Sequence, residues 1–281
     1  MVSRELKLRL SALRRGQAPS APLCAAADAS GLHALSDLLP DGSVRETERG
    51  ELLVCEVGLR ELHGEAERMV ARYLAAFARA RELAAREALP SDLEPLRAAS
   101  AERTALIDTE TTGLHGRPLF LVGAARLRGG DMVVTQYFAR DYAEEPAVLA
   151  ALGELLGEVG LLVSFNGKAF DWPFVRDRMV YHRLRCSASF SHVDLLHLSR
   201  RRWRARLPDC RLQTLERYLC RRWRSGDIAG AEIPQRYHDW VRRRDPRLVA
   251  PIFHHNRLDL ITMMELLPAL CGVGERAPEG V

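Results

Sequence analysis

Apolar positions along this chain recur first at helical spacing and later in short unbroken runs. Met69, Val70, Tyr73, Leu74 and Phe77 fall three and four residues apart within 65–89, and Pro90 closes the stretch, which predicts a helix. Just ahead of it, residues 52–57 predict a short strand, and 91–103 a connector. Further upstream the period fades. Residues 17 to about 48 are rich in Ala, Pro, Ser and Gly and predict a poorly ordered linker, preceded by a basic amphipathic helix over about 1–16.

From Thr104 the pattern changes. Ala105 to Ile107 form a short apolar run ending at Asp108, which suits a buried strand. Two longer apolar stretches, 119–127 and 132–138, flank Arg128-Gly129-Gly130-Asp131, a hairpin signal. Then come a helix over 144–159, a strand over 161–165, a helix over 172–185 and a strand ending near Asp194. Helices over 195–206, 212–222, 233–243 and 247–270 complete the series. That order predicts an α/β domain with a mixed central sheet flanked by helices, its first hairpins antiparallel. The expected divisions are an arm and linker over 1–50, an α-rich extension of short strand plus helix over 51–103, the α/β domain over 104–271, and a tail over 272–281.

Composition narrows the classes. Apolar residues make up 47% of 281, enough for a proper core, and the formal net charge is +4. A polyanionic partner is therefore permitted, but only through a local basic patch. Six dispersed cysteines contain no C-x-x-C pair, so no structural zinc frame is expected, and buried thiols in a reducing compartment are. The first ten residues alternate charges without an apolar core segment. No secretion signal or membrane span is expected, and cytoplasm is the default location. Nearly every base is arginine: lysine occurs only at Lys7 and Lys168, and asparagine only at Asn166 and Asn256. Where a chain disfavours a residue type, the survivors mark places where substitutes do not serve.

Three segments carry candidate chemistry. Asp108 and Glu110, two apart in a strand, point to one face, and paired carboxylates there are costly unless a cation lies between them. Hard oxygen donors favour Mg²⁺ or Mn²⁺. Taken alone, an acidic strand end facing water is the plainer reading. The segment 164–171 follows a strand and opens a helix. Gly167 permits a close turn, the helix N-terminus attracts anions, and Asp171 supplies a third carboxylate. An ordinary capped junction reads equally well. In the third segment, 254–259, His255 and Asp259 are four apart on one helix face, where a histidine beside a metal-bound carboxylate could manage a water. A surface Asp capped by a nearby His is the plainer alternative. Asp194, ending a strand, reads as a helix cap or as support for the same site.

Jointly these loci resemble the three exonuclease motifs of the DEDD 3′→5′ exonuclease superfamily, on a ribonuclease-H-like fold. The likeness is closer to its YprB-like branch. It runs through Ile107-Asp108-Thr109-Glu110-Thr111-Thr112-Gly113-Leu114, Phe165-Asn166-Gly167-Lys168 and His192-Val193-Asp194-Leu195-Leu196-His197. It continues through Arg211-Leu212-Gln213-Thr214-Leu215-Glu216, Asp227-Ile228-Ala229-Gly230, Ile233-Pro234 and His255-Asn256-Arg257-Leu258-Asp259. The resemblance implies that Asp108, Glu110, Asp171 and Asp259 bind two divalent ions about 4 Å apart around a scissile phosphate. It implies that the third-motif histidine handles the attacking water. The superfamily divides by whether a His lies five positions before the last Asp or a Tyr lies four before it; here His254 stands in the first register and His255 in the second, and helix geometry and the YprB-like pattern favour His255.

Residues 200–224 hold ten arginines with Trp203 and Trp223, against only Asp209 and Glu216. Arginine interleaved with tryptophan suits a surface that tracks a nucleic-acid backbone and stacks bases, and a solvated pair of helix faces reads equally well. The candidate substrate contacts are Asn166, Lys168, Arg201, Arg202, Trp203, Arg221 and Arg222, acting on single-stranded DNA or RNA ends. The expected function is a metal-dependent nuclease, a 3′→5′ exonuclease by resemblance. The alternatives are a non-catalytic nucleic-acid-binding module and an endonuclease on the same site. Residues 1–50 are a candidate docking arm for a protein partner.

Overall fold

The computed structural model describes residues 35, 39, 41–113, 116–186 and 188–274. The helix expected over 1–16, most of the linker and the end of the tail lie outside the described residues, and with them the candidate docking arm.

Among the described residues, seven strands build one mixed sheet: β1 (Gly42–Thr47), β2 (Gly50–Gly58), β3 (Thr104–Thr111), β4 (Leu119–Arg128), β5 (Asp131–Phe138), β6 (Leu161–Ser164) and β7 (Ser191–Asp194). Their spatial order is β1-β2-β5-β4-β3-β6-β7. Pairing is antiparallel from β1 across to β3, and parallel for β3 with β6 and β6 with β7. Gly129 and Gly130, at φ 56° and 79°, supply the two left-handed residues that a tight hairpin turn between Arg128 and Asp131 requires.

Over 42–47, at the end of the linker expected over 17–48, the chain forms β1. Val44 is the one large apolar residue of that strand and is exposed. An edge strand held by its backbone ladder shows no apolar alternation, which is why the pattern misses it. The N-terminal extension is continuous with the α/β domain, because β2 pairs directly with β5.

Helices cover both faces. The longer ones are α1 (Ala66–Ala85), α2 (Glu145–Glu158), α3 (Asp171–Tyr181), α4 (Leu195–Trp203), α5 (Ile233–Arg243) and α6 (Ala250–Leu270). Leu106, Val163 and Val193 pack with α1, α4 and most of α6. Ala105, Ile107 and Leu162 pack with α2, α3 and α5 on the opposite face. Consecutive residues of β3 thus feed two cores, and the strand delivers its last side chains to the rim between them.

The helix expected over 212–222 is broken. A short turn, Leu212–Leu215, runs into a wider π-helical turn, Glu216–Cys220, that ends at Arg221 in the left-handed conformation, φ 53°. Glu216 is fully buried there, and its carboxylate draws the following chain back toward it. No helix among the described residues is long and apolar enough to cross a membrane.

Candidate active site

Asp108 and Glu110 leave the end of β3, where the register with β4 shifts at Glu110 and Thr111. Bulges of this kind re-aim side chains at a sheet rim. Asp108 accepts a 2.8 Å hydrogen bond from the Asn256 Nδ2 amide of α6. Asn256 is itself fixed: its Oδ1 accepts from Gln136 Nε2 at 2.8 Å, and both side chains are fully buried. Gly123 makes this possible, because a Cβ there would lie 2.0 Å from Asn256 Oδ1. One of the chain's two asparagines therefore locks the first motif to the third.

The second motif is a turn clamped from β7. Asp194 caps α4 by accepting from Leu196 N at 3.0 Å, and it also accepts from the backbone N–H groups of Asn166 at 2.8 Å and Lys168 at 3.1 Å. The capping reading of Asp194 is realised, and the same carboxylate also holds the second-motif turn. Asn166 is left-handed at φ 68°, a conformation asparagine tolerates better than most residues. Gly167 leaves room for Ser164, whose Oγ would sit 2.3 Å from an added Cβ. The turn places Asp171 as the first residue of α3, where it accepts a hydrogen bond from the Thr109 hydroxyl between the two first-motif acids. Lys168 is exposed beside it.

In the third motif, His255 is buried and His254 is exposed. His255 Nε2 lies 3.7 Å from Asp259, and its Nδ1 lies 2.8 Å from Asp227. A carboxylate on the far nitrogen fixes a histidine's orientation and tautomer. Asp259 also takes an ion pair from Arg224 at 2.6 Å. The Arg224 guanidinium bridges three acids, since it also pairs with Asp227 at 3.1 Å and with Glu216. Arg224, Asp227 and Glu216 carry no role in the sequence reading, although Glu216 and Asp227 fall in the segments that bear the resemblance. The available signal is an acid isolated among arginines.

Burial pushes Asp108 and Glu110 well above the ordinary carboxyl range, and repulsion raises both further, from Asp259, Glu110 and Asp171 on Asp108 and from Asp259, Asp171 and Asp227 on Glu110. Burial also pushes Asp171 up, to about 6, against the opposing hydrogen bond from Thr109. Asp259 is raised by burial, a rise that Arg224 and His255 restrain. Burial raises Asp227 too, but the His255 and Arg224 hydrogen bonds outweigh it and hold that carboxyl below its usual value. Four hard oxygen donors that desolvate and repel one another are the donor set a divalent cation would relieve. Among the described residues no three ligand-type side chains already converge as a coordination shell. Asn256, Thr109 and Arg224 occupy one acid each, and a cation shared with Asp259 would have to compete with Arg224.

The arginine-rich stretch divides. Trp203 is completely buried beneath α4, so it cannot stack on a base; the expectation that it does is corrected. Arg222 is also corrected as a free surface contact. Its guanidinium pairs with Glu216 at 2.5 Å and Glu265 at 2.7 Å and donates to Thr262 at 2.9 Å. Arg201 is exposed and pairs with Asp92. Arg202 is exposed and reaches the Leu270 carbonyl at 3.4 Å, and Arg221 is exposed at the left-handed turn.

A family profile described as the RNase_H superfamily matches residues 105–271, from β3 to the end of α6. The uncharacterized protein YprB of Bacillus subtilis (strain 168) is 35% identical over 166 residues, 57% of this chain and 40% of that protein. The matched part thus spans well under half of that relative's length. The match takes in all three segments that meet at the rim of the sheet, and the chain belongs to the RNase_H superfamily, as a ribonuclease-H-like protein of YprB type.

Proposed function

We propose that this chain is a metal-dependent nuclease that removes nucleotides from the 3′ end of DNA or RNA. The reading is supported by four half-buried acids, Asp108, Glu110, Asp171 and Asp259, which β3, α3 and α6 bring close enough to repel one another. These four would hold two divalent ions, Mg²⁺ or Mn²⁺, which supply Lewis-acid activation of water and charge stabilisation at the phosphate. The chain's own part is to place protons and donors. Asp227 orients His255 so that its Nε2 can take the proton of an attacking water and later release it. Lys168, exposed on the turn that opens α3, would meet the phosphate as a compact cation, and the N-terminus of α3 would add a favourable field.

One observation favours a second reading, a binding module without turnover: Arg224 already neutralises Asp259. Incubation of the purified protein with 5′-labelled single- and double-stranded DNA and RNA, under Mn²⁺, Mg²⁺ or chelator, separates the two. The exonuclease reading expects a metal-dependent ladder shortening one nucleotide at a time. Internal cuts would point to an endonuclease, and an intact label with retained binding to the module.

A further inference from the structure

The same segment that rules out Trp203 presents another tryptophan. Trp223 is 67% exposed, the most open aromatic ring of the arginine-rich stretch. It lies between two inward arginines. Arg221 turns the chain in the left-handed conformation, and residues 222–224 follow outside any helix or strand, their side chains divided between the inside and solvent. Arg222 and Arg224 point in, and both bind the buried carboxylate of Glu216. Trp223 points out. The two ion pairs pin the backbone on either side of the indole, so the ring is presented on a fixed stem. Arg217 lies with its guanidinium 5.7 Å from the ring centroid.

Trp223 also lines a cavity of about 360 Å³, walled by Gln213, Arg217, Arg224, Asp227 and Ile228 among others. Asp227 and Arg224 are the residues that hold His255 and Asp259, so the cavity opens directly beside the acidic cluster. A fixed aromatic plate, a cation over it and a cavity large enough for a base, adjoining a phosphate-cleaving centre, are complementary to an unpaired nucleotide. Resting on the nuclease reading, we propose that Trp223 and Arg217 form a stacking subsite for a base of a single strand, next to the scissile position. A paired base cannot offer its face to Trp223, so the subsite selects single-stranded ends over blunt duplexes.

Binding in chelator tests this apart from catalysis. Fluorescently labelled oligothymidylate, oligouridylate and a blunt duplex of equal length are titrated with wild-type protein, Trp223→Ala, Trp223→Phe and, as a control at the far end of α3, Tyr181→Ala. Trp223→Ala is expected to weaken single-strand binding about tenfold, the scale of one lost stack. Trp223→Phe should restore most of it, and duplex binding should stay unchanged. A 5-bromouracil oligonucleotide should photo-crosslink at Trp223. Single-strand affinity of Trp223→Ala within twofold of wild type, or equal losses for single strand and duplex, would overturn the subsite. If the single-strand loss appears but no metal supports cleavage, the subsite stands and the nuclease reading falls.

Discussion

Among the described residues, Asp259 is the one of the four rim acids that carries an arginine, Arg224, while Asp108 and Asp171 have neutral hydrogen-bond donors. That difference separates their variants. Glu110→Gln removes repulsion from the metal-free protein and should raise its melting temperature at pH 7.5 by about 2–4 °C, the response to about 1 kcal/mol in a domain of this size. Asp259→Ala removes a partner of the buried Arg224 and should not. The pH dependence has a definite sign. Folded carboxyls raised above their unfolded values bind more protons in the native state, so stability falls as pH rises from about 4 through the folded value, about 6 for Asp171. In chelator the protein should therefore melt higher at pH 5 than at pH 7.5, and Mn²⁺ should recover the loss. A melting curve that rises with pH over that window contradicts the clustering. His255→Ala should lower turnover by about 10² or more, as loss of a general base does. Asp227→Asn should keep a smaller share of that loss and shift the acidic limb of the pH–rate profile, whereas exposed His254→Ala should do less than His255→Ala; the opposite ranking of the two histidines would move the base to His254.

At the scale of elements, the two tryptophans of 200–224 exchange the roles their spacing offers. Trp203 closes α4 inside the core shared with α1 and α6. Trp203→Ala should cost about 3–5 kcal/mol of stability, as removal of a buried aromatic does, with substrate affinity unchanged once the protein is folded. Loss of affinity without loss of stability in a denaturant titration would restore it to the surface. Sequence alone could not make this choice, because both rings sit among arginines and burial depends on which helix face meets α6. The hairpin at Gly129-Gly130 was legible, since its turn chemistry is local. So was the i, i+4 pairing of His255 with Asp259, which needs only a continuous helix. The β1 edge was not, because backbone pairing leaves no apolar signature. Nor was the break after Leu215, which follows from Glu216 meeting Arg222 and Arg224, contacts made only once the chain has turned back at Arg221. The rarity of asparagine did mark two structural needs, the left-handed turn at Asn166 and the bridge from Asn256 to Asp108.

Across the whole molecule, one mixed sheet brings the ends of β3, β6 and β7 to a single rim, and α3 and α6 add their acids from opposite faces. As proposed, this rim holds divalent ions through Asp108, Glu110, Asp171 and Asp259. The most direct measurement of that binding is a calorimetric titration of the metal-free protein with Mn²⁺, beside Asp108→Asn. The account predicts saturable binding of two ions per chain to wild type and loss of at least one of them in the variant. Wild-type protein that binds no Mn²⁺ saturably, or a variant whose isotherm matches wild type, would contradict it.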